Sequence, residues 1–333
     1  MAKRPRMCGA TEVFATSSTE SHMAFSTSPQ APRFVSRRGL LVVSAGAALP
    51  WVAGCGTPLP LGQQPATGAG AAAAGAGAVR LRESAEVHGL AAYRQLRDIN
   101  VGYDGQWRPL IDRIQPIVVD RTFRGSSQER LMPAAGVNGQ AYRGPAGSKH
   151  VLWRRGREGQ PGEVAVWFNG QRSTDVAAQA ASALVAEAYG LFLLGPLWLV
   201  DRGLATELAG TERANGRLCD VVNVWLRPGF GLAPLDRVAV FIDRDDGVTR
   251  RLRFTLEGFA STQGAVAEVD TFEHQRRFGV LWPMRSYEEV VHPLRVPAHD
   301  WYVTGLDVNR GYDISALQGP QFSGLAAATA AAL

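Results

Sequence analysis

Asp243, Asp245 and Asp246, closed by Gly247, gather oxygen donors of the kind that bind calcium. A calcium loop of the EF-hand type needs an acid at its fifth place, Gly at its sixth and Glu at its twelfth. Counted from Asp243, those places hold Gly247, Val248 and Phe254. The segment therefore reads as a hairpin loop with a turn glycine, not an ion site. His88, His150, His274, His292 and His299 form no i, i+4 pair of the sort that a zinc-binding helix presents. His292 and His299 flank prolines and read as surface loop residues. His299-Asp300 could orient an imidazole for base work. No Gly-x-Ser-x-Gly elbow supplies a nucleophile, and Ser126-Ser127 sits in a turn-like stretch. No Gly-rich phosphate loop follows a strand. Cys219 has no partner thiol and reads as a buried filler of a strand. No catalytic set, metal site or cofactor is expected. Asn309-Arg310 and the Arg251/Arg253 pair read as solvated groups or internal salt bridges.

A different chemistry is written near the N-terminus. Arg37-Arg38 stand directly before an apolar run from Gly39 to Trp51, which gives way to Val52-Ala53-Gly54-Cys55. A basic region, a short apolar stretch and small residues before a cut make a secretory signal. The run is shorter than the ~20 residues that span a bilayer. Paired arginines point to twin-arginine export. The four residues ending at Cys55 resemble the bacterial lipobox, whose cysteine thiol takes a diacylglycerol. Residues 1–54 are thus expected to be a lipoprotein signal peptide, and Cys55 the lipidated residue that ties the chain to a membrane.

Removing that segment changes the charge argument. It holds six basic and two acidic residues, a net of +4, whereas the whole chain carries +5. The remainder is nearly neutral and has no basic footprint for nucleic acid. Thr57 to Val79 is rich in Gly, Ala and Pro without a charge. Such composition cannot bury enough apolar surface to order itself, so 55–80 is expected to be a flexible tether. Residues 81–323 suit a single domain, with 324–333 an Ala-rich tail.

Within that domain a helix is expected from Ser84 to Asp98, capped by Ser84, with Val87, Leu90, Ala91 and Arg94 at helical spacing. Strand signals follow. Glu163 to Phe168 is β-branched and aromatic and ends at the turn pair Asn169-Gly170. Cys219 to Leu226 stops before Pro228-Gly229. Arg237 to Ile242 and Val248 to Glu257 flank the Asp-rich loop. Leu252, Phe254 and Leu256 alternate with charged residues, giving one dry and one wet face. Val238, Val240 and Ile242 share a parity and extend the dry face. Ala265 to Phe272, Gly279 to Tyr287 and Trp301 to Val308 continue the meander. One segment breaks the pattern. From Ser173 through Val200 apolar residues cover nearly every side of a helix, capped by Ser173 or Thr174 with Asp175 near its positive end. Such a helix is buried or spans a membrane. Glu187, Gly190 and Gly195-Pro196 argue for burial.

Leu226-Arg227-Pro228, Arg237 to Asp243, Asp246-Gly247, Leu252-Arg253-Phe254, Glu268-Val269-Asp270, Gly279 to Pro283 and Gly305 to Gly311 follow each other as strands and turns. With the greasy helix and the exported N-terminus, this order resembles the LolA/LolB-like lipoprotein carrier superfamily over residues 81–320. The resemblance implies an α+β, mostly β fold: a strongly curved antiparallel sheet, or incomplete β-barrel, with a buried or lid-like apolar helix. It implies an apolar cavity that shelters an acyl chain, with Val238, Val240, Ile242, Leu252, Phe254 and Leu256 as its candidate lining. The lid-latching residues of the carriers have no counterpart that can be placed. The expected function is a membrane-anchored, periplasm-facing lipoprotein binding an acyl chain or lipoprotein segment. Other envelope lipoproteins are expected partners, and outer-membrane delivery is expected because Gly56 is not Asp. A periplasmic hydrolase and a fully packed scaffold lipoprotein stand as alternatives.

Overall fold

The computed structural model describes residues 71–157, 160–317 and 319. Arg37, Arg38 and Cys55 lie outside them, as do the signal segment and the Ala-rich tail.

In chain order the elements are α1 (Ala71–Val87), α2 (Leu90–Tyr93), β1 (Ile99–Trp107), α3 (Pro109–Ile114), α4 (Pro116–Val119), β2 (Ser126–Met132), β3 (Val137–Gly144), β4 (Gly147–Arg154), β5 (Glu163–Phe168) and β6 (Gln171–Arg172). Then come α5 (Val176–Leu194), α6 (Pro196–Leu199), β7 (Ala205–Ala214), β8 (Arg217–Leu226), β9 (Asp236–Asp243), β10 (Thr249–Thr255) and β11 (Val266–Phe272). The last four are β12 (Gln275–Arg277), β13 (Val280–Trp282), β14 (Arg285–His292) and β15 (Val296–Val308).

Thirteen strands form one sheet in the order β6-β5-β4-β3-β2-β1-β15-β14-β11-β10-β9-β8-β7. The described pairings are antiparallel. The sheet is curved, and β6 and β7 remain as free edges, so it is not closed into a barrel. Each half is a run of hairpins, and β1 against β15 joins the two halves. Asn169 and Gly170 turn β5 into β6 with φ of 49° and 82°. Positive φ at both central residues is the type I′ geometry that matches strand twist. The Asp243–Gly247 loop closes β9 onto β10, with Val248 O accepting from Asp243 N.

The apolar segment is α5, and the sheet is wrapped around it. Asp175, rather than Ser173 or Thr174, caps it by accepting from Ala177 N and Ala178 N at 2.8 and 3.2 Å. Its carboxylate thereby meets two of the orphan donors at the positive helix end. Every residue from Ala186 to Leu194 is buried. By length and composition α5 could cross a bilayer, but its apolar sides are spent on the protein interior. Phe192 packs 5.2 Å from Phe254 and 5.6 Å from Trp301, ring centre to ring centre. Gly195 at φ 51° ends the helix and Pro196 begins α6.

The N-terminal helix differs from expectation at both ends. It starts at Ala71, inside the stretch read as tether, and Ala is the strongest helix former. Its buried face rests on β7, where a Cβ on Gly77 would stand 2.8 Å from the Glu207 backbone. It ends at Val87, before Gly89 at φ 93°. Ser84 is therefore not a cap. Its hydroxyl lies within the helix and donates to Gly247 O at 2.8 Å. The stretch Gly279 to Tyr287 is also divided, its first part pairing with β12 and its second joining the main sheet.

The outer face of β8 to β10 is drier than the alternation suggested. Ala214, Cys219, Val221, Ala239 and Phe241 form a small buried cluster there. Arg253 lies 4.9 Å above Phe241 and covers it with its stem. The guanidinium groups of Arg251 and Arg253 are held by Glu268, Asp270 and Glu212.

Candidate functional site

α5 does not fill the concave face completely. Between α5, the short helices α3 and α4, and strands β10, β14 and β15 lies an apolar cavity of about 70 Å³. Leu184, Val185, Ala188 and Phe192 of α5 form one wall. Phe254, Leu256, Val290 and Ala298 form the sheet wall. Ile111, Gln115 and Val118 close it from α3 and α4. A void of this size exceeds the ~10–15 Å³ that admits one water, and its apolar lining favours a dry state.

Sequence dictates why α3 and α4 are short. Pro109 and Pro116 each occupy the first turn, so neither helix can continue through the other. Gln115 between them is clasped by Ser261: its amide donates to Ser261 O and its carbonyl accepts from Ser261 Oγ, both at 2.6 Å. The far sides of these helices leave Leu110, Ile114 and Ile117 exposed. They are held by one face only.

The cavity has a polar corner. Arg124 is buried and donates from Nη1 to Val118 O at 2.6 Å and from Nη2 to Tyr189 Oη at 3.0 Å. Its guanidinium is ringed by Trp107, Tyr142 and Tyr189 at 5.1 to 5.5 Å, a cation–π arrangement suited to a desolvated cation. Its Nε has no hydrogen-bond partner among the described residues. Tyr189 Oη also lies 3.1 Å from His299 Nδ1. Burial, with Arg124 next, holds the His299 imidazole well below its ordinary range. This favours the neutral imidazole, which shares one hydrogen bond with the Tyr189 hydroxyl. Its ring lies between Trp107, parallel within 1° at 4.0 Å, and Trp301 at 4.7 Å.

His299 is thus a buried strand residue and not the surface loop residue expected. Asp300 points to the opposite face, as strand alternation demands, and pairs with Arg285 at 3.0 Å. Ser126 and Ser127 line a second small pocket with His299, but Asp300 does not reach it. His292 is exposed. His88 accepts from Thr249 N and donates to Leu281 O, pinning the end of α1 to the sheet. Burial lowers its pKa to about 3, with His274 the next contributor. Among the described residues no group of three or more His, Cys, Asp or Glu could hold a metal.

Two carboxyls near this corner are strongly shifted. Glu129 accepts from Gln140 Nε2 at 2.8 Å, yet its second oxygen has no partner among the described residues, and burial pushes it up to about 7. Glu288 lines the cavity itself. Burial pushes it to about 7 as well, against the pull of Arg124.

Of the six residues expected to line a cavity, Phe254 and Leu256 do so. Val238, Val240, Ile242 and Leu252 share their face and pack across the sheet, Leu252 opposite Val240 and Phe254 opposite Val238. All four are fully buried in the main core and do not line this cavity. The strands continue past the opening, so only the end of β10 reaches it. Sequence reasoning missed Arg124, Glu288 and the α3–α4 wall. The run Pro109 to Val119, with two prolines and apolar residues between, was the available signal.

No family model matches the chain, and no curated protein matches it. Among solved structures it is similar to a DUF1329 family protein from Desulfovibrio piger, at 12% identity and TM-score 0.47, over 74% of this chain and 99% of that one. It is also similar to a LolA superfamily protein from Nitrosomonas europaea, at 9% identity and TM-score 0.38, over 72% and 96%. A third is the lipoprotein LppX of Mycobacterium tuberculosis, at 15% identity and TM-score 0.23, over 55% and 90%.

Proposed function

We propose that this chain is an envelope lipoprotein that shelters a single acyl chain between α5 and the concave face of its sheet. The observation that carries the reading is the apolar cavity bounded by Val185, Ala188, Phe192, Phe254, Leu256 and Val290. A packed core would fill that space with side chains. A whole acyl chain needs more room than 70 Å³, so α3 and α4 must shift outward to admit one. Their attachment by a single face and the Gln115–Ser261 clasp suit such a shift. The separation of His299 from Asp300 favours binding over hydrolysis at this corner.

The N-terminal sequence supports the rest. Val52 to Cys55 suits lipidation at Cys55, and Arg37-Arg38 suits twin-arginine export. Gly56 suits delivery to the outer membrane, where the domain would face the periplasm and could meet other envelope lipoproteins.

The test is binding of a fluorescent fatty-acid probe to delipidated protein and to Leu256→Trp, with circular dichroism as the folding control. Leu256 is partly exposed at the edge of the space, so a larger side chain there blocks the cavity without overfilling the core. Saturable binding by the parent protein, weakened at least tenfold by the substitution, is expected. A well-folded parent protein that binds no probe would leave a structural lipoprotein as the better reading.

A further inference from the structure

The cavity contains one group that an alkyl chain cannot satisfy. Glu288 sits on β14 opposite Val269 of β11 and His299 of β15 and lines the space. It has neither a hydrogen-bond nor an ion-pair partner among the described residues. The carboxyls around it are matched: Glu289 with Arg295, Asp300 with Arg285, Asp270 with Arg251. Glu288 is half-buried, and an unmatched carboxyl facing an apolar void loses hydration that no protein group replaces. A valine or threonine at that strand position would have closed the wall without that cost. Arg124 lines the same space, and its Nη1 and Nη2 each spend one N–H, on Val118 O and Tyr189 Oη, and keep a second.

We propose that Glu288 is the specificity-determining residue of the cavity, and that the ligand is a single acyl chain whose uncharged head carries a hydroxyl donor, as in a monoacylglycerol. The hydroxyl donates to Glu288, and the ester carbonyl beside it accepts from Arg124. This rests on the acyl-chain reading of the cavity and deepens it. A plain alkyl ester offers Arg124 an acceptor but leaves Glu288 unmatched. A fatty acid places a second carboxyl beside Glu288, which disfavours ionisation of both.

Three ligands of equal chain length separate the possibilities: monopalmitoylglycerol, methyl palmitate and palmitic acid. Each displaces the fluorescent probe from full-length delipidated protein, from Glu288→Gln and from Glu288→Leu. The parent protein is expected to prefer the monoacylglycerol to the methyl ester by roughly tenfold, the size of one hydrogen bond with a buried group. Glu288→Leu should abolish that preference and bind the methyl ester at least as well as before. Glu288→Gln, which keeps an acceptor oxygen, should retain most of it. Equal affinities for the two esters in the parent protein would overturn the proposal, as would a preference that survives in Glu288→Leu. In both cases probe binding itself leaves the cavity reading standing. Failure of every ligand and of the probe would remove both. Thermal unfolding of Glu288→Leu controls for folding, and a leucine there should raise stability by removing an unmatched carboxyl.

Discussion

The Glu187 carboxylate, buried in the middle of α5, accepts from Arg155 Nε at 3.0 Å with one oxygen and from Gly231 N at 3.1 Å with the other. This apolar helix is thus fixed to β4's end and to the loop after β8 by its one charged residue. Burial pushes this carboxyl up and Arg155 opposes that, followed by Arg202.

Removing half of that pair should cost far more than removing both halves. Glu187→Ala leaves the half-buried Arg155 without its partner and should destabilise by roughly 3–5 kcal/mol. Glu187→Met with Arg155→Met should cost much less, because well-packed apolar residues often replace a buried ion pair without loss. Urea unfolding of the two variants decides it. Similar losses in both would show that α5 is seated by its apolar faces alone.

Glu129 makes stability depend on pH. Its folded-state pKa of about 7 lies above the unfolded value of 4.5. Between those values the folded protein holds a proton that the unfolded chain has released. Its contribution therefore opposes folding increasingly as pH rises from about 4.5 to about 7, reaching about 3 kcal/mol above that. Glu129→Gln mimics the protonated form and should gain stability relative to the parent over that window. The buried His88 acts the other way, losing stability as pH falls from 6.5 toward 3. Thermal unfolding at pH 5 and pH 8 measures the difference between parent and variant. A difference that does not change with pH would remove Glu129 as the cause.

Phe254 and Leu252 should respond differently to substitution. Phe254 packs against Phe192 and Phe230 and borders the cavity. Phe254→Ala should cost about 3–5 kcal/mol while enlarging the ligand space, so probe binding persists in whatever fraction stays folded. Leu252 is fully enclosed in the core. Leu252→Trp overpacks it, at a cost of about 1–3 kcal/mol, and does not block the cavity selectively. Selective loss of binding in Leu252→Trp, with stability unchanged, would contradict this placement.

The anchor and the export route have separate readouts. Cys55→Ala should abolish incorporation of a fatty-acid analogue and shift the protein out of the membrane fraction. Arg37→Lys with Arg38→Lys keeps the charge but removes the paired guanidinium groups, for which ammonium is no substitute. The doubly substituted chain should stay unprocessed if export takes the twin-arginine route. Normal processing would point to the Sec route.

Local patterns were enough for the elements whose environment is uniform. The apolar run from Ala181 to Leu199, interrupted by Glu187, Gly190 and Gly195-Pro196, pointed to burial over a membrane span. Glu163 to Phe168 with Asn169-Gly170 could only be a strand and its turn. The alternation in β9 and β10 put Val238, Val240, Leu252 and Phe254 on one inner face. Strands β1 to β4 were not legible because their buried positions include Asn100, Glu129, Arg130, Asn138 and Gln140. Glu129, Asn138 and Gln140 share the inner face with Val101 and Leu131, while Asn100 and Arg130 are buried on the other, so polar and apolar residues do not alternate between the faces.

What only the tertiary structure decided is which inward-facing residues meet. Arg124, Tyr189, Glu288 and His299 come from a turn, a helix and two strands, far apart in the chain. No local period links them. The same holds for the cavity, since periodicity reports which way a side chain points and not whether the space beyond it is filled. Here α5 covers most of the concave face, and the short, proline-broken α3 and α4 leave open what it does not reach.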